Sequence, residues 1–239
     1  MEEFTRVDIY DTKGIEYLFV IGYLLVLIMV WGLLKNPRRV VERIQNAIGT
    51  LSAGILRIPQ GIFFSKHHTW AHLAESGEAK VGMDDFLQHV TGRVNVEGMR
   101  APGETIRKGD LLTEIVQDRK RLKVFSPISG KIMDTNPAIM ENPESINENP
   151  YNDGWLYKIK PSDWVKETSS YMLAEKASEW ASQEFTRLKE FLSLGPMRSH
   201  STEPSMVLLQ DGGEIRENVL SDLPEEVWEE FQQEFLDLK

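Results

Sequence analysis

Apolar residues along the chain follow four different rhythms, and each predicts a different element. The run YLFVIGYLLVLIMVWGLL, residues 17–34, carries no charge. At 1.5 Å per residue its length approaches the roughly 30 Å hydrocarbon core of a bilayer. It predicts a transmembrane helix over 15–35, preceded by a short leading segment, 1–14. Val40, Val41, Ile44, Ile48 and Leu51 then recur at helical spacing with Arg38, Arg39 and Arg43 on other faces. That pattern predicts an amphipathic juxtamembrane helix and linker over 36–60, lying at the lipid headgroups or packed on a partner's membrane helices. From 61 to 165 short apolar runs alternate with Gly, Pro, Asn and Asp turns, the texture of an all-β sandwich or barrel. The exception is DDFLQHV at 84–90, a helix with Asp84 or Asp85 as its N-cap.

Beyond 165 the period returns to helical. Leu173, Ala177, Trp180, Ala181, Phe185, Leu188, Phe191 and Leu192 predict an amphipathic helix over 166–195, ending near Gly195. A polar linker, 196–205, leads to an acidic tail, 206–239. Two extended pieces are expected there around Asp211-Gly212-Gly213. A terminal helix follows, capped by Ser221 or Asp222, with Pro224 in its first turn. Trp228, Phe231 and Phe235 form a single stripe on it. From 198 onward eleven acidic residues stand against Arg198, Arg216 and Lys239, so this part alone carries a net charge of 3 − 11 = −8.

Charge orients the N-terminal helix. Lys35, Arg38, Arg39 and Arg43 follow the apolar run, whereas the leading segment is net acidic. The positive-inside rule therefore puts the N-terminus outside and the main domain in the cytoplasm, a single pass through the cytoplasmic membrane. The whole chain of 239 residues carries a net charge of −10. That balance argues against nucleic acid as a partner. The absence of cysteine excludes disulfides, thiolate catalysis and Cys-ligated metals.

Five stretches carry a family resemblance: HTWAHL, VGMDDFLQHVTG, PGETIRKGD, SPISGKI and INENPYNDGWLYKIKPSD. In this order they resemble the glycine cleavage system H protein over roughly 100 residues. The resemblance implies a mainly β, lipoyl-type sandwich, a flattened barrel with a lipoylated lysine at a hairpin tip. Here it would carry an N-terminal transmembrane helix and a C-terminal helical extension. In the family the lysine lies ten residues after the Gly of the Gly-Asp pair and eight before the Pro of Pro-x-Ser-Gly. Counting from Gly109 and back from Pro127 both give Arg119. A guanidinium stays protonated and cannot be acylated as an amine can, so no lipoate is expected at Arg119. Lys120 is the alternative site. Against it, Val116 stands where the family has an acidic residue, and Lys120 and Arg121 stand where it has small ones.

The Arg119, Lys120 and Arg121 cluster reads as a solvated tip, or as a contact for an acidic partner or lipid headgroups. His67, His68 and His72 do not suggest a metal site, since His68 and His72 would lie about 13 Å apart on a strand. A stripe of three aromatics on so charged a tail is expected to dock in a groove of another protein, making Trp228, Phe231 and Phe235 partner-binding residues.

No nucleophile, phosphate loop or carboxylate pair stands out, so the expectation is a non-enzymatic protein without cofactor or metal. The preferred function is a scaffold or docking subunit of a larger membrane complex. A respiratory or other electron-transport assembly follows by analogy with the family's multi-subunit setting. The alternatives are a lipoyl carrier of glycine decarboxylation modified on Lys120, and a lipid-surface adaptor using the basic tip with Arg38, Arg39 and Arg43.

Overall fold

The structure, a computed structural model, describes residues 13–35, 50–51, 56–143, 145–198, 209–210 and 214–237. The chain divides into two units, Met1–Ile48 and Gly49–Lys239. In the first, helix α1 spans Lys13–Lys35, 23 residues. Its side chains at 17–29 and 31 are all exposed. Counted over the described residues, no helix is long and apolar enough to cross a membrane. The amphipathic helix expected at 36–60 falls mostly outside the described residues. So do the linker 196–205, apart from its first residues, and the turn Asp211-Gly212-Gly213.

The second unit contains β1 (Thr50–Leu51), β2 (Phe63–Phe64), β3 (Thr69–Leu73), β4 (Ala79–Met83), α2 (Asp85–Thr91) and β5 (Asn95–Glu97). Then come β6 (Thr105–Ile106), β7 (Leu111–Gln117), β8 (Lys120–Phe125), β9 (Gly130–Thr135), two short helices α3 (Pro137–Glu141) and α4 (Ser145–Glu148), and β10 (Trp155–Pro161). The C-terminal third holds α5 (Trp164–Thr168), α6 (Ala174–Arg198), β11 (Leu209–Gln210), β12 (Glu214–Arg216), a 3-10 turn (Val219–Asp222) and α7 (Glu225–Phe231) continued by a π turn (Gln232–Leu236). A six-stranded sheet, β2-β3-β4-β10-β9-β6, faces a three-stranded sheet, β5-β7-β8, and β1-β12-β11 forms a third.

Period-two alternation builds the core. Val81, Ile132 and Ile159 from the larger sheet meet Leu112, Ile115 and Leu122 from the smaller, each without solvent exposure. Tyr157 fastens the layers: its hydroxyl donates to Leu112 O at 2.9 Å and accepts from Arg100 N at 2.9 Å. Across the other side of the larger sheet Phe64 and Trp70 pack with Ala177 of α6. Gly82 is required beneath Trp70, because a Cβ there would lie 2.8 Å from the indole. Asp84 caps α2 as expected, its carboxylate accepting from Leu87 N at 2.9 Å.

The helix expected over 166–195 is two helices. Between them Met172 exchanges backbone hydrogen bonds with Phe64 (2.9 and 3.0 Å), a single bridge at the edge of the larger sheet that interrupts the helix. His68 also departs from expectation. It precedes β3 with φ 55°, so it is not on the strand with His72.

The largest correction concerns the tail. Trp228 and Phe231 have no exposure and Phe235 has 2%. The Phe231 and Phe235 rings stack at 4.5 Å with Phe191 of α6 edge-on to both, and Trp228 lies under Lys120 of β8. The stripe is wider than three aromatics, since Leu220, Leu223, Val227 and Leu236 are buried with it. It joins a core cluster that includes Leu188, Phe191 and Leu192 of α6 and Leu122 and Val124 of β8, all of the same chain. As partner-binding residues Trp228, Phe231 and Phe235 are therefore unavailable in this fold.

Candidate functional site

The β7–β8 hairpin is closed by the pair Gln117 and Lys120, leaving Asp118 and Arg119 as a two-residue tip. Asp118 takes φ 56°, the left-handed conformation that tight hairpin turns need and that Asp tolerates. Both tip residues are exposed. Arg119 sits at the summit of the hairpin, where sequence counting put it.

Lys120 points back into the molecule. Its Nζ donates to Ser221 O at 2.5 Å and Leu223 O at 3.3 Å, and lies 5.2 Å from the centre of the Trp228 ring. The carbonyls belong to the end of the 3-10 turn, where backbone acceptors lack helical partners and favour a cation. Ser221 is itself held. Its hydroxyl donates to Thr91 O at 2.8 Å and accepts from Gln117 Nε2 at 3.1 Å, and Gln117 Nε2 also donates to Arg93 O at 2.8 Å. One stride further, Gln232 Oε1 accepts from Lys123 N at 2.6 Å, so the tail covers the edge of β8, the exposed margin of its sheet. Gly92, ending α2 at φ 72°, fits against Asn218; a Cβ there would come within 2.8 Å of the Asn218 side chain.

Arg121 leaves the tip in another direction. Its Nη1 reaches Glu97 and Glu114, each at 3.0 Å, bridging two carboxylates that face each other across β5 and β7. The three basic residues grouped in the sequence thus have three fates: an exposed tip, a clamp to the tail and a strand-to-strand ion pair.

Two histidines join the sandwich to its C-terminal elements. His68 is fully buried, with Nδ1 2.8 Å from Asp84 Oδ2 and Nε2 3.7 Å from Glu184 Oε2, the latter an ion-pair distance and too long for a hydrogen bond. Burial opposes its charge, but Asp84 and then Glu184 outweigh burial and raise its pKa to about 9. His89 lies between Asp85 (3.5 Å) and Glu217 (3.4 Å). Burial again opposes charge, and the two carboxylates again raise the pKa to about 9. Sequence reading missed both links. Alternating positions reveal core, but nothing local in a lone His or Glu tells which distant element completes the pair.

The model of the family described as Glycine cleavage H-protein matches residues 62–184, just over half the chain. The chain belongs to the glycine cleavage H-protein family. A "Probable glycine cleavage system H protein" of Pyrococcus abyssi is 32% identical over 130 residues, 54% of this chain and 96% of that protein. The glycine cleavage system H protein of Coprothermobacter proteolyticus is 31% identical over 125 residues, 52% of this chain and 98% of that protein. Among solved structures, a glycine cleavage system H protein from Mycobacterium marinum is 26% identical, covering 54% of this chain and 99% of that one, with a TM-score of 0.44. The H-protein match ends at Glu184, within α6. The clamp on Lys120, the Glu217 partner of His89 and the buried aromatic stripe all come from sequence beyond it.

Proposed function

We propose that this chain is a non-catalytic, non-lipoylated H-protein-family subunit, anchored in the membrane by α1 and acting as a docking module in a larger membrane complex. The observation that carries the reading is the hold on Lys120. The amine nearest the tip is bound by two backbone carbonyls and shielded by Trp228. Lipoyl attachment requires a free amine presented at a turn, and the residue so presented here is Arg119, whose guanidinium cannot serve. The family's carrier chemistry has no group to act through.

Anchoring is supported by α1. It covers the uncharged run 17–34 with 23 helical residues, about 34 Å, although counted over the described residues no helix is long and apolar enough to cross a membrane. Its described apolar side chains are exposed, with Phe19 at 73% and Trp31 at 70%, which water alone would disfavour. The flanking charge gives an outside N-terminus and a cytoplasmic domain. The electron-transport character of the complex follows the setting of lipoyl-type domains generally.

Co-expression of the full chain with a lipoyl attachment enzyme and lipoate, followed by intact mass, tests the carrier half. The unmodified mass is expected, and a lipoyl adduct on Lys120 would favour the carrier reading instead. Alkaline carbonate washing of membranes tests the anchor: retention in the pellet is expected, and release into the wash contradicts it.

A further inference from the structure

Among the described residues, the outer side of the six-stranded sheet is covered over only part of its area. At one end Trp70, Phe64 and Trp155 lie under Ala177, Trp180, Tyr151 and Met172. The remainder carries basic residues. His72 pairs with Lys80 across β3 and β4, Lys80 with Lys158 across β4 and β10, and Lys160 with Lys131 across β10 and β9. Their neighbours Val81, Ile132 and Ile159 point into the core, so these basic side chains project outward. Like charges directly opposed on neighbouring strands destabilise a sheet. Lys158 has relief from Asp134 at 2.9 Å and from the Trp155 ring at 4.6 Å. Among the described residues Lys80, Lys131 and Lys160 have no carboxylate within ion-pair distance. Glu78 lies just before β4, and Asp134 is the carboxylate on these strands' outer positions. All this stands on a chain of net charge −10.

Two hollows open on this face. One, of about 350 Å³, is lined by Arg57, His72 and Lys80; the other, of about 630 Å³, by Arg107, Lys131 and Lys160. Among the described residues no carboxylate lines either one. A cation-lined hollow without an acid is suited to a phosphate group, and two of them on one broad sheet face suit a surface that presents many.

We propose that this uncovered sheet face is a docking surface for the phosphate headgroups of an anionic membrane. The inference rests on the anchoring reading above, which keeps the domain tethered within reach of a bilayer. An acidic peptide would call for one continuous groove. Here the lysines spread over three adjacent strands and separate hollows, which matches a planar array of anions. Lys35, Arg38, Arg39 and Arg43 in the sequence after the apolar run favour the same anionic leaflet.

The chain lacks cysteine, so Met133→Cys, at a position 42% exposed beside Lys131, provides a single site for an environment-sensitive fluorophore. Full-length protein is reconstituted in vesicles of phosphatidylcholine alone or mixed equally with phosphatidylglycerol, and quenching by neutral acrylamide is measured. In anionic vesicles quenching should fall roughly threefold or more, and salt near 1 M should restore it. A label at Glu226→Cys on α7 should not respond to lipid. The triple variant Lys80→Gln, Lys131→Gln, Lys160→Gln should lose the protection, and the matching Lys→Arg triple should keep it. Equal quenching in both lipids overturns the proposal. So does equal protection by inorganic phosphate in detergent, which marks a small-anion site, or protection appearing only when a cell extract is added, which marks a protein partner. Failure of the chain to insert into neutral vesicles removes the anchor alone: if the label is still protected on anionic vesicles, the docking face stands.

Discussion

The sandwich and the C-terminal extension bury their aromatics in the same way but reveal it differently. Trp70 in the sandwich has no exposure and donates its indole N–H to Met83 O at 2.8 Å. Trp228 in the extension has no exposure and donates to Leu220 O at 2.7 Å. Each satisfies its one polar atom with a backbone carbonyl, as a buried Trp must. Trp70 lies over Gly82 of the neighbouring strand β4, which announces itself through alternation, while its outer cover includes Ala177 of the distant α6. In the extension the receiving surface is β8, about a hundred residues earlier, together with Phe191 of α6, so the stripe on α7 reads as unpartnered. An amphipathic face shows that something covers it, without showing whether the cover belongs to the same chain.

If the extension is core in this sense, Trp228→Ala and Trp70→Ala should each destabilise the domain by about 3–5 kcal/mol in denaturant unfolding. A silent Trp228→Ala would make the extension an appendage. The next effect depends on pH. His68 and His89 have folded pKa values of about 9, above the ordinary 6.5. Their protonation therefore favours the folded state: this stabilisation is complete below about pH 6.5 and is lost as pH rises through 9. Thermal midpoints should fall between pH 6.5 and 9.5, and His68→Gln with His89→Gln should flatten that slope. A smaller effect is expected at the seam. Gly92→Ala, forcing a side chain to φ 72° and against Asn218, should cost about 1–3 kcal/mol, and Asn218→Gly should recover part of it. Smallest of all, Arg119→Ala at the exposed tip should shift stability by no more than about 0.5 kcal/mol.

The order of these effects tracks what sequence could reveal. The strands, the Asp84 cap and the place of Arg119 at a hairpin summit were legible because each is local: a period of two, a capping carboxylate, a fixed count between turns. The break before α6 was hidden because Met172 leaves the helix for a backbone pairing with Phe64 more than a hundred residues earlier. Lys120, Arg121 and Arg119 looked equivalent because charge at a turn is ordinarily solvated. Their separation depends on Ser221 and Leu223 carbonyls and on the Glu97–Glu114 pair, none of which is near in sequence.

The function proposed for this chain turns on the amine of Lys120 being held by the tail, which makes its reactivity the most direct measurement. Full-length protein treated briefly with a lysine-acylating reagent at neutral pH, then digested and quantified by mass, ranks the lysines by accessibility. Lys120 is predicted to label far more slowly than exposed Lys131 and Lys160, and to approach their rate when residues 217–239 are deleted. Labelling of Lys120 in the intact chain as fast as Lys131 would contradict the clamp and return the tip to the solvated, modifiable state that a carrier requires.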